Sequence, residues 1–383
     1  MRIEILIMDN DVVELTQKLV KTPSIKGNTV DVANIIFDYL EEFGLNPQID
    51  NYKEGEANVY VSLGPSNTDQ FIISGHIDTV PIGQIDDWTH EPYSGKIING
   101  ELWGRGSVDM KGGTASLACV MIELLKNESD LKQEIFLALT AEEETGLLGA
   151  KNYIDKKLIK NASNILIAEP TNLEPKTREK GIVWFDIHSN GRQAHASRPD
   201  LGVNAIEELA RLIPKLHNVI PDWEDDLLGK TTLNTGTIMG GTAANVIPQY
   251  ARARFDSRVT PGITNDEVIS RYKKVVEEFD GEIEFDFDLI ESASSILSKT
   301  TNFAELLMEN TKKYVSREIE IGGAYYATDG AVFMEYLKDQ PEFVIFGPGS
   351  TELLHQTDER MEVSQLELSK KIIYESLIKT ACN

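Results

Sequence analysis

Three apolar runs in this chain end on side chains that bind metals or move protons, and that pattern restricts the available folds more than any other feature. The run FIIS leads through Gly75 into His76 and Asp78, and Pro81 with Gly83 then stops it. The run QEIFLALT ends ahead of Glu142, Glu143 and Glu144, and NILIA ends on Glu169 and Pro170. Such short apolar stretches read as buried strands of an α/β sheet. In a sheet of parallel strands, ligand sites lie beyond the carboxyl ends, so the three termini are expected to converge on one crevice.

The segments between the runs fit that reading. Apolar residues at helical spacing predict helices over 11–21 and 29–43, the second stopping at Gly44, and NVYVSL predicts a strand. The polar and aromatic stretch from Asp86 to Gly113 is long for a connection inside a compact domain, and such connections tend to be functional. Asp109 sits at its end, just ahead of a helix beginning TASLACVMIELLKN. Another helix is expected near 148–157. From about 175 the order becomes strand, helix, two strands, helix, strand, which is that of a small two-layer α+β domain. Beyond 290 come a helix near 301–314, the Gly-rich IGGAYYATDG, a strand FVIFGP and a last helix near 364–379.

At 383 residues the chain exceeds what one hydrophobic core organises. The expected architecture is therefore a discontinuous domain over 1–174 and 291–383, with a mixed central sheet flanked by helices, and a smaller inserted domain over 175–290. Acidic residues number 62 against 37 basic, a net charge of −25, which argues against nucleic acid or an anionic membrane surface as partner. Cys119 and Cys382 are the two cysteines and imply no disulfide framework. No apolar run approaches membrane-spanning length and the N-terminus lacks a signal-peptide pattern, so a cytoplasmic location is expected.

Singly, each candidate side chain has an ordinary explanation. His76 and Asp78 can be a polar pair at a sheet edge, Asp109 a helix cap, Glu142 to Glu144 a solvated charge run, Glu169 a turn carboxylate and His355 a loop hydrogen-bonder. Together they are four loops at strand ends supplying two imidazoles and several carboxylates, a donor set suited to two divalent ions such as zinc.

The segments SGHIDTVP, GRGSVDMKGG, TAEEETG, AEPT, GRQAHAS, GGTAANVIP and HQTDE, in that order, resemble the dinuclear zinc deacylases and peptidases. That family includes succinyl-diaminopimelate desuccinylase, acetylornithine deacetylase, aminoacylase and glutamate carboxypeptidase. The resemblance implies a zinc-peptidase-like catalytic domain and makes the 175–290 insertion a lid and dimerisation domain, hence a homodimer. It implies that His76 and Glu169 bind one metal, Glu144 and His355 the other, and that Asp109 bridges them; zinc is expected, with cobalt or manganese also compatible. Asp78 would hold His76 by its other ring nitrogen. Glu143 falls at the general-base position; alternation along an extended segment would let Glu144 face the metal while Glu143 faces the water. His195 matches an oxyanion donor that dimeric members deliver from the partner subunit, and Asn245 and Arg258 match positions on the substrate's carboxylate side. Guanidinium suits a carboxylate, although a salt bridge to a nearby acid explains Arg258 equally.

The implied activity is hydrolysis of the amide of a small N-acyl amino acid, first among them N-succinyl-LL-diaminopimelate in lysine biosynthesis. Acetylornithine deacetylase is the alternative, followed by a dipeptidase or general aminoacylase. Glu179 and Lys180 stand where desuccinylases carry paired arginines, which puts the succinyl group in question. A catalytically silent ligand-binding member is the reading from a different class, and it would require the loss of a ligand or of the base.

Overall fold

The computed structural model describes residues 11–337 and 339–382. They divide into two compact units: one comprising the residues through Thr177, Ser298–Gly322 and those from Thr328 onward, the other Arg178–Leu297 with Gly323–Ala327.

The first unit is built on a mixed sheet with strand order Gln48–Lys53, Glu56–Leu63, Glu134–Thr140, Gln70–His76, Ala162–Ile167, Glu342–Ile345. The last four run parallel, and the first two add antiparallel pairings at one edge. Gln70–His76 and Glu134–Thr140 are buried at every position, the physical reason their sequences read as unbroken apolar runs. One sheet face, with Val59, Ile73, Ile135 and Leu137, packs into a core shared with Leu117 and Val120 of the Gly112–Leu125 helix and Ile372 and Leu377 of the Val363–Ala381 helix. On the other face Tyr153, from the Leu148–Asp155 helix, meets Tyr60 and Phe136 edge-on, and its hydroxyl donates to the Val59 and Leu139 carbonyls, 2.8 Å each.

Two local departures from expectation have simple causes. Gln48–Lys53 forms an edge strand that its polar sequence, QIDNYK, does not announce; pairing to Glu56–Leu63 decides it. The helix expected to reach 314 ends at Thr311, where Lys313 and Tyr314 donate instead to the carbonyls three residues back.

The second unit is a four-stranded antiparallel sheet, ordered Thr232–Gly240, Tyr250–Val259, Gly181–Asn190, Glu284–Ala293. Val183, Phe185 and Ile187 face inward with Ala251, Ala253 and Phe255, and the Ala205–His217 and Asn265–Glu277 helices cover them through Leu209, Leu212 and Tyr272. The alternate residues Asp186, His188, Arg252 and Arg254 lie on the opposite face, as period-two patterning requires. Among the described residues, no helix is long and apolar enough to cross a membrane.

Candidate metal centre

The carboxyl ends of the parallel strands carry the polar residues of the first unit. His76 closes its strand in register with Thr140 of the neighbour, which leads directly to Glu142, Glu143 and Glu144. Glu169 lies two residues beyond Ile167, and His355 ten beyond Ile345. Asp109 comes not from a strand end but from a tight segment between Gly106 and the Gly112–Leu125 helix. Gly106 has φ +84°, and a Cβ there would meet Thr79 Cγ2 at 2.7 Å, so glycine is required at that turn.

These side chains meet. Asp109 Oδ1 is 3.0 Å from His76 Nε2, and Asp109 Oδ2 is 3.1 Å from His355 Nε2. Each imidazole has a further carboxylate of its own: Glu169 Oε1 at 3.4 Å from His76 Nε2, and Glu144 Oε1 at 3.0 Å from His355 Nε2. The set is two imidazole–carboxylate pairs joined through one aspartate. His76, Asp109 and Glu169 are buried, whereas the His355 side chain is 52% exposed. His355 takes φ +59°, the left-handed region that few non-glycine residues occupy.

Asp78 is divided between two tasks. Its backbone carbonyl, not its carboxylate, is nearer the second ring nitrogen of His76, at 3.0 Å against 3.6 Å. The carboxylate accepts from the N–H groups of Glu143 and Glu144, 3.2 Å each. Those two residues lie in a turn rather than an extended segment, Gly146 and Leu147 both donating to the Glu143 carbonyl. Turn geometry pinned by Asp78, and not strand alternation, therefore orients them. Glu142 is wholly buried and takes no part: it accepts from the Tyr52 hydroxyl at 3.1 Å and from Lys53 Nζ at 2.7 Å.

Burial raises the pKa values of most of these carboxyls. It pushes Asp78 up to about 7 although His76 pulls the other way. Glu169 also reaches about 7, through burial opposed by His76 and assisted by Asp109. Glu143 is driven well above the carboxylate range by burial, with Glu169 and Glu144 adding to the push against His76. Asp109 is the exception: burial raises it, but hydrogen bonds from His355 and His76 win and hold it below the usual range. Hydrogen bonds to Asp109 and Glu144 raise His355 to about 10. Burial opposes a charge on His76, yet Glu169 and Asp109 keep its pKa well above the usual imidazole value. A cluster this rich in converging oxygens and imidazole nitrogens, with so little fixed positive charge, fits divalent cations.

His195, Asn245 and Arg258 belong to the second unit. The first two are neighbours there, since His195 pairs with Val246 and Ala196 N–H donates to the Asn245 carbonyl at 3.0 Å. His195 is exposed, and its Nδ1 accepts from Ser197 N–H at 3.1 Å, so in the neutral ring the proton sits on Nε2. Arg258 is engaged with Asp256 two residues earlier on its strand, at 2.9 and 3.0 Å. Lys180, at the departure from the desuccinylase pattern, is buried and donates to the Lys230 carbonyl at 2.6 Å.

Two buried acids escaped the sequence reading. Asp329, in the Gly-rich IGGAYYATDG, accepts from Thr140 Oγ1, and its other oxygen has no hydrogen-bond partner among the described residues. Glu359, four residues past His355, accepts from the segment that carries Asp109. An acid inside a motif already singled out was the available signal for each.

The model of peptidase family M20/M25/M40 matches residues 72–379. A probable succinyl-diaminopimelate desuccinylase of Staphylococcus epidermidis is 27% identical over 97% of this chain and 98% of its own length. An acetylornithine deacetylase of Aliivibrio fischeri is 27% identical over 95% of this chain and 97% of its own. Among solved structures, the M20 family metallo-carboxypeptidase Sso-CP2 of Sulfolobus solfataricus superimposes with a TM-score of 0.80 at 19% identity, covering 96% of this chain and 98% of that one.

Proposed function

From the premise that the chain belongs to peptidase family M20/M25/M40, we propose that it hydrolyses the amide of a small N-acyl amino acid at a centre of two divalent cations. The observation that carries this is the Asp109 carboxylate, one oxygen 3.0 Å from His76 and the other 3.1 Å from His355. His76 and Glu169 would hold one ion and His355 and Glu144 the other, with Asp109 common to both. Such a pair, when bound, supplies Lewis acidity that acidifies water and polarises a carbonyl, and zinc, cobalt and manganese all suit the donors.

The remaining steps fall to this chain's own side chains. Glu143 accepts the proton of the attacking water as oxygen adds to the amide carbon. It returns that proton to the amine nitrogen as the carbon–nitrogen bond breaks, leaving a carboxylate and a free amine. Asp78 keeps the Glu143–Glu144 turn in place by accepting both N–H groups.

His195, exposed and with its ring proton on Nε2, is assigned as hydrogen-bond donor to the oxyanion, supplied by the partner subunit of a homodimer. Ile238 and Met239, more than half exposed on the edge strand of the second unit, support assembly through that unit. Asn245 is assigned to the substrate's carboxylate end. Arg258 keeps such a role only by sharing its guanidinium with Asp256.

For the acyl group, N-succinyl-LL-diaminopimelate is the first choice, supported by the name of the Staphylococcus relative. The Aliivibrio acetylornithine deacetylase, equally identical, favours N-acetylornithine as the second reading. With Cys119 and Cys382 as its two cysteines, the sequence implies no disulfide framework, which suits the cytoplasm, where we place the reaction. Rates on N-succinyl-LL-diaminopimelate, N-acetylornithine and a set of dipeptides, with metal content measured in the same sample, test the proposal. Turnover of the succinyl substrate above the others is expected; hydrolysis of dipeptides alone would remove both deacylase readings.

A further inference from the structure

We propose that Glu359 is a positioning residue for the metal centre, fixing the backbone that aims the Asp109 carboxylate between the two imidazoles. The inference rests on the dinuclear reading above and extends it to a residue outside the ligand set. Glu359 is wholly buried. Its Oε1 accepts from the N–H groups of Val108 at 2.8 Å and Asp109 at 3.1 Å; its Oε2 accepts from Gly106 N–H at 3.0 Å and from Arg105 Nη1 at 2.6 Å.

A buried carboxylate is costly unless donors surround it, and here four converge on its two oxygens. Apolar packing would fill the same space without direction, whereas this acceptor demands one path for the chain from Arg105 to Asp109. The Asp109 N–H is among the donors, so the residue whose side chain meets both imidazoles is held at its own backbone.

Glu359 also joins this segment to the loop that carries His355. Gly104 N–H donates to the Glu359 carbonyl at 2.9 Å, and Arg105 Nη1 to the Gln356 carbonyl at 3.2 Å. Next to them Arg360–Glu362 pairs with Glu101–Trp103. Two of the five proposed ligands thus sit on segments that one carboxylate ties together. Misplacing a ligand by an ångström is enough to weaken a metal site, and residues that orient ligands affect affinity on the order of ten- to a hundredfold.

The test compares wild-type chain with Glu359→Gln and with Asp358→Asn. The second turns one of the two carboxylate oxygens that accept from Thr89 (2.7 and 2.6 Å) into a donor but leaves the Glu359 cradle alone. Metal-stripped proteins are titrated with Co2+, and stoichiometry, affinity and the visible spectrum at saturation are read. The expected result for Glu359→Gln is a loss on the order of ten- to a hundredfold in affinity for both ions together, because Asp109 serves both. Altered visible bands at saturating Co2+ should accompany it, with kcat lowered and KM held. Asp358→Asn should match wild type in affinity and spectrum even where its melting temperature falls. If Glu359→Gln does not fold, Glu359→Asp, which keeps the charge and shortens the reach, carries the same comparison. A Glu359 variant with wild-type affinity and bands would overturn this inference alone, as would an equal loss in Asp358→Asn. Wild-type chain that binds no Co2+ would remove the dinuclear reading and this inference with it.

Discussion

Asp186 in the second unit and Glu169 in the first are both buried carboxylates, and their surroundings treat them in opposite ways. Asp186 accepts from Arg254 Nε at 2.8 Å and Nη2 at 2.9 Å, and also from Arg252. Burial alone would raise its pKa, but those hydrogen bonds outweigh burial and lower it. Glu169 has the His76 ring at 3.4 Å and acidic neighbours beyond, and burial prevails. The difference separates a buried acid that carries its counterion in the sequence from one that, under the proposed function, takes its counterion from solution. The first stabilises a fold and the second equips a site.

That contrast breaks or holds under measurement. The largest effect expected is from metal removal: a strong chelator should take hydrolysis of the acyl substrate to background, and added Zn2+ or Co2+ should restore it. Glu143→Gln should follow, lowering kcat by roughly 10²–10⁴-fold while both metals, counted by elemental analysis, stay bound. His355→Ala should lose about one ion per chain and leave the His76 half of the site loaded. Retention of both ions there would undo the division of ligands.

Smaller effects are expected from the second unit. Asp186→Asn should cost on the order of 1–3 kcal/mol in urea unfolding, with kcat and metal content unchanged. The sign of the pH effect follows from the lowered folded-state pKa of Asp186: its contribution is present above the unfolded-state value and is lost as pH falls through the folded-state one. Wild-type stability should therefore drop more steeply than that of Asp186→Asn below about pH 4. Parallel curves would mean that the two arginines do not stabilise the charge.

The trans assignment of His195 sharpens the comparison further. Mixing His195→Ala with Glu143→Gln, each inactive alone, should recover about a quarter of wild-type activity, one working site in half of the dimers. No recovery would place His195 in its own chain's site or outside the chemistry.

The α/β architecture was legible because strands buried on both faces leave unbroken apolar runs, and those around Ile72, Leu137 and Leu166 mark them. The convergence of His76, the run of Glu142 to Glu144 and Glu169 was expected from one rule, that parallel strands share a carboxyl edge; Asp109 and His355 joined them only through the family resemblance. What the sequence hid was set by distant contacts. Nothing local distinguishes Glu142, wholly buried against Tyr52 and Lys53, from its two neighbours. The turn at Glu143 and Glu144 depends on Asp78, more than sixty residues away. The cradle around Glu359 closes across some 250 residues, a partnership no spacing rule anticipates.

Anomalous diffraction from crystals grown with Zn2+ tests the central claim most directly. The chain offers a second grouping of ligating atoms at Asp186, His188 and Asp288, whose Asp186 already holds two arginines. The account predicts two peaks flanking the Asp109 carboxylate, one beside His76 and one beside His355, and none at Asp186. A single peak at Asp109, or zinc at Asp186 with none between the imidazoles, would contradict it.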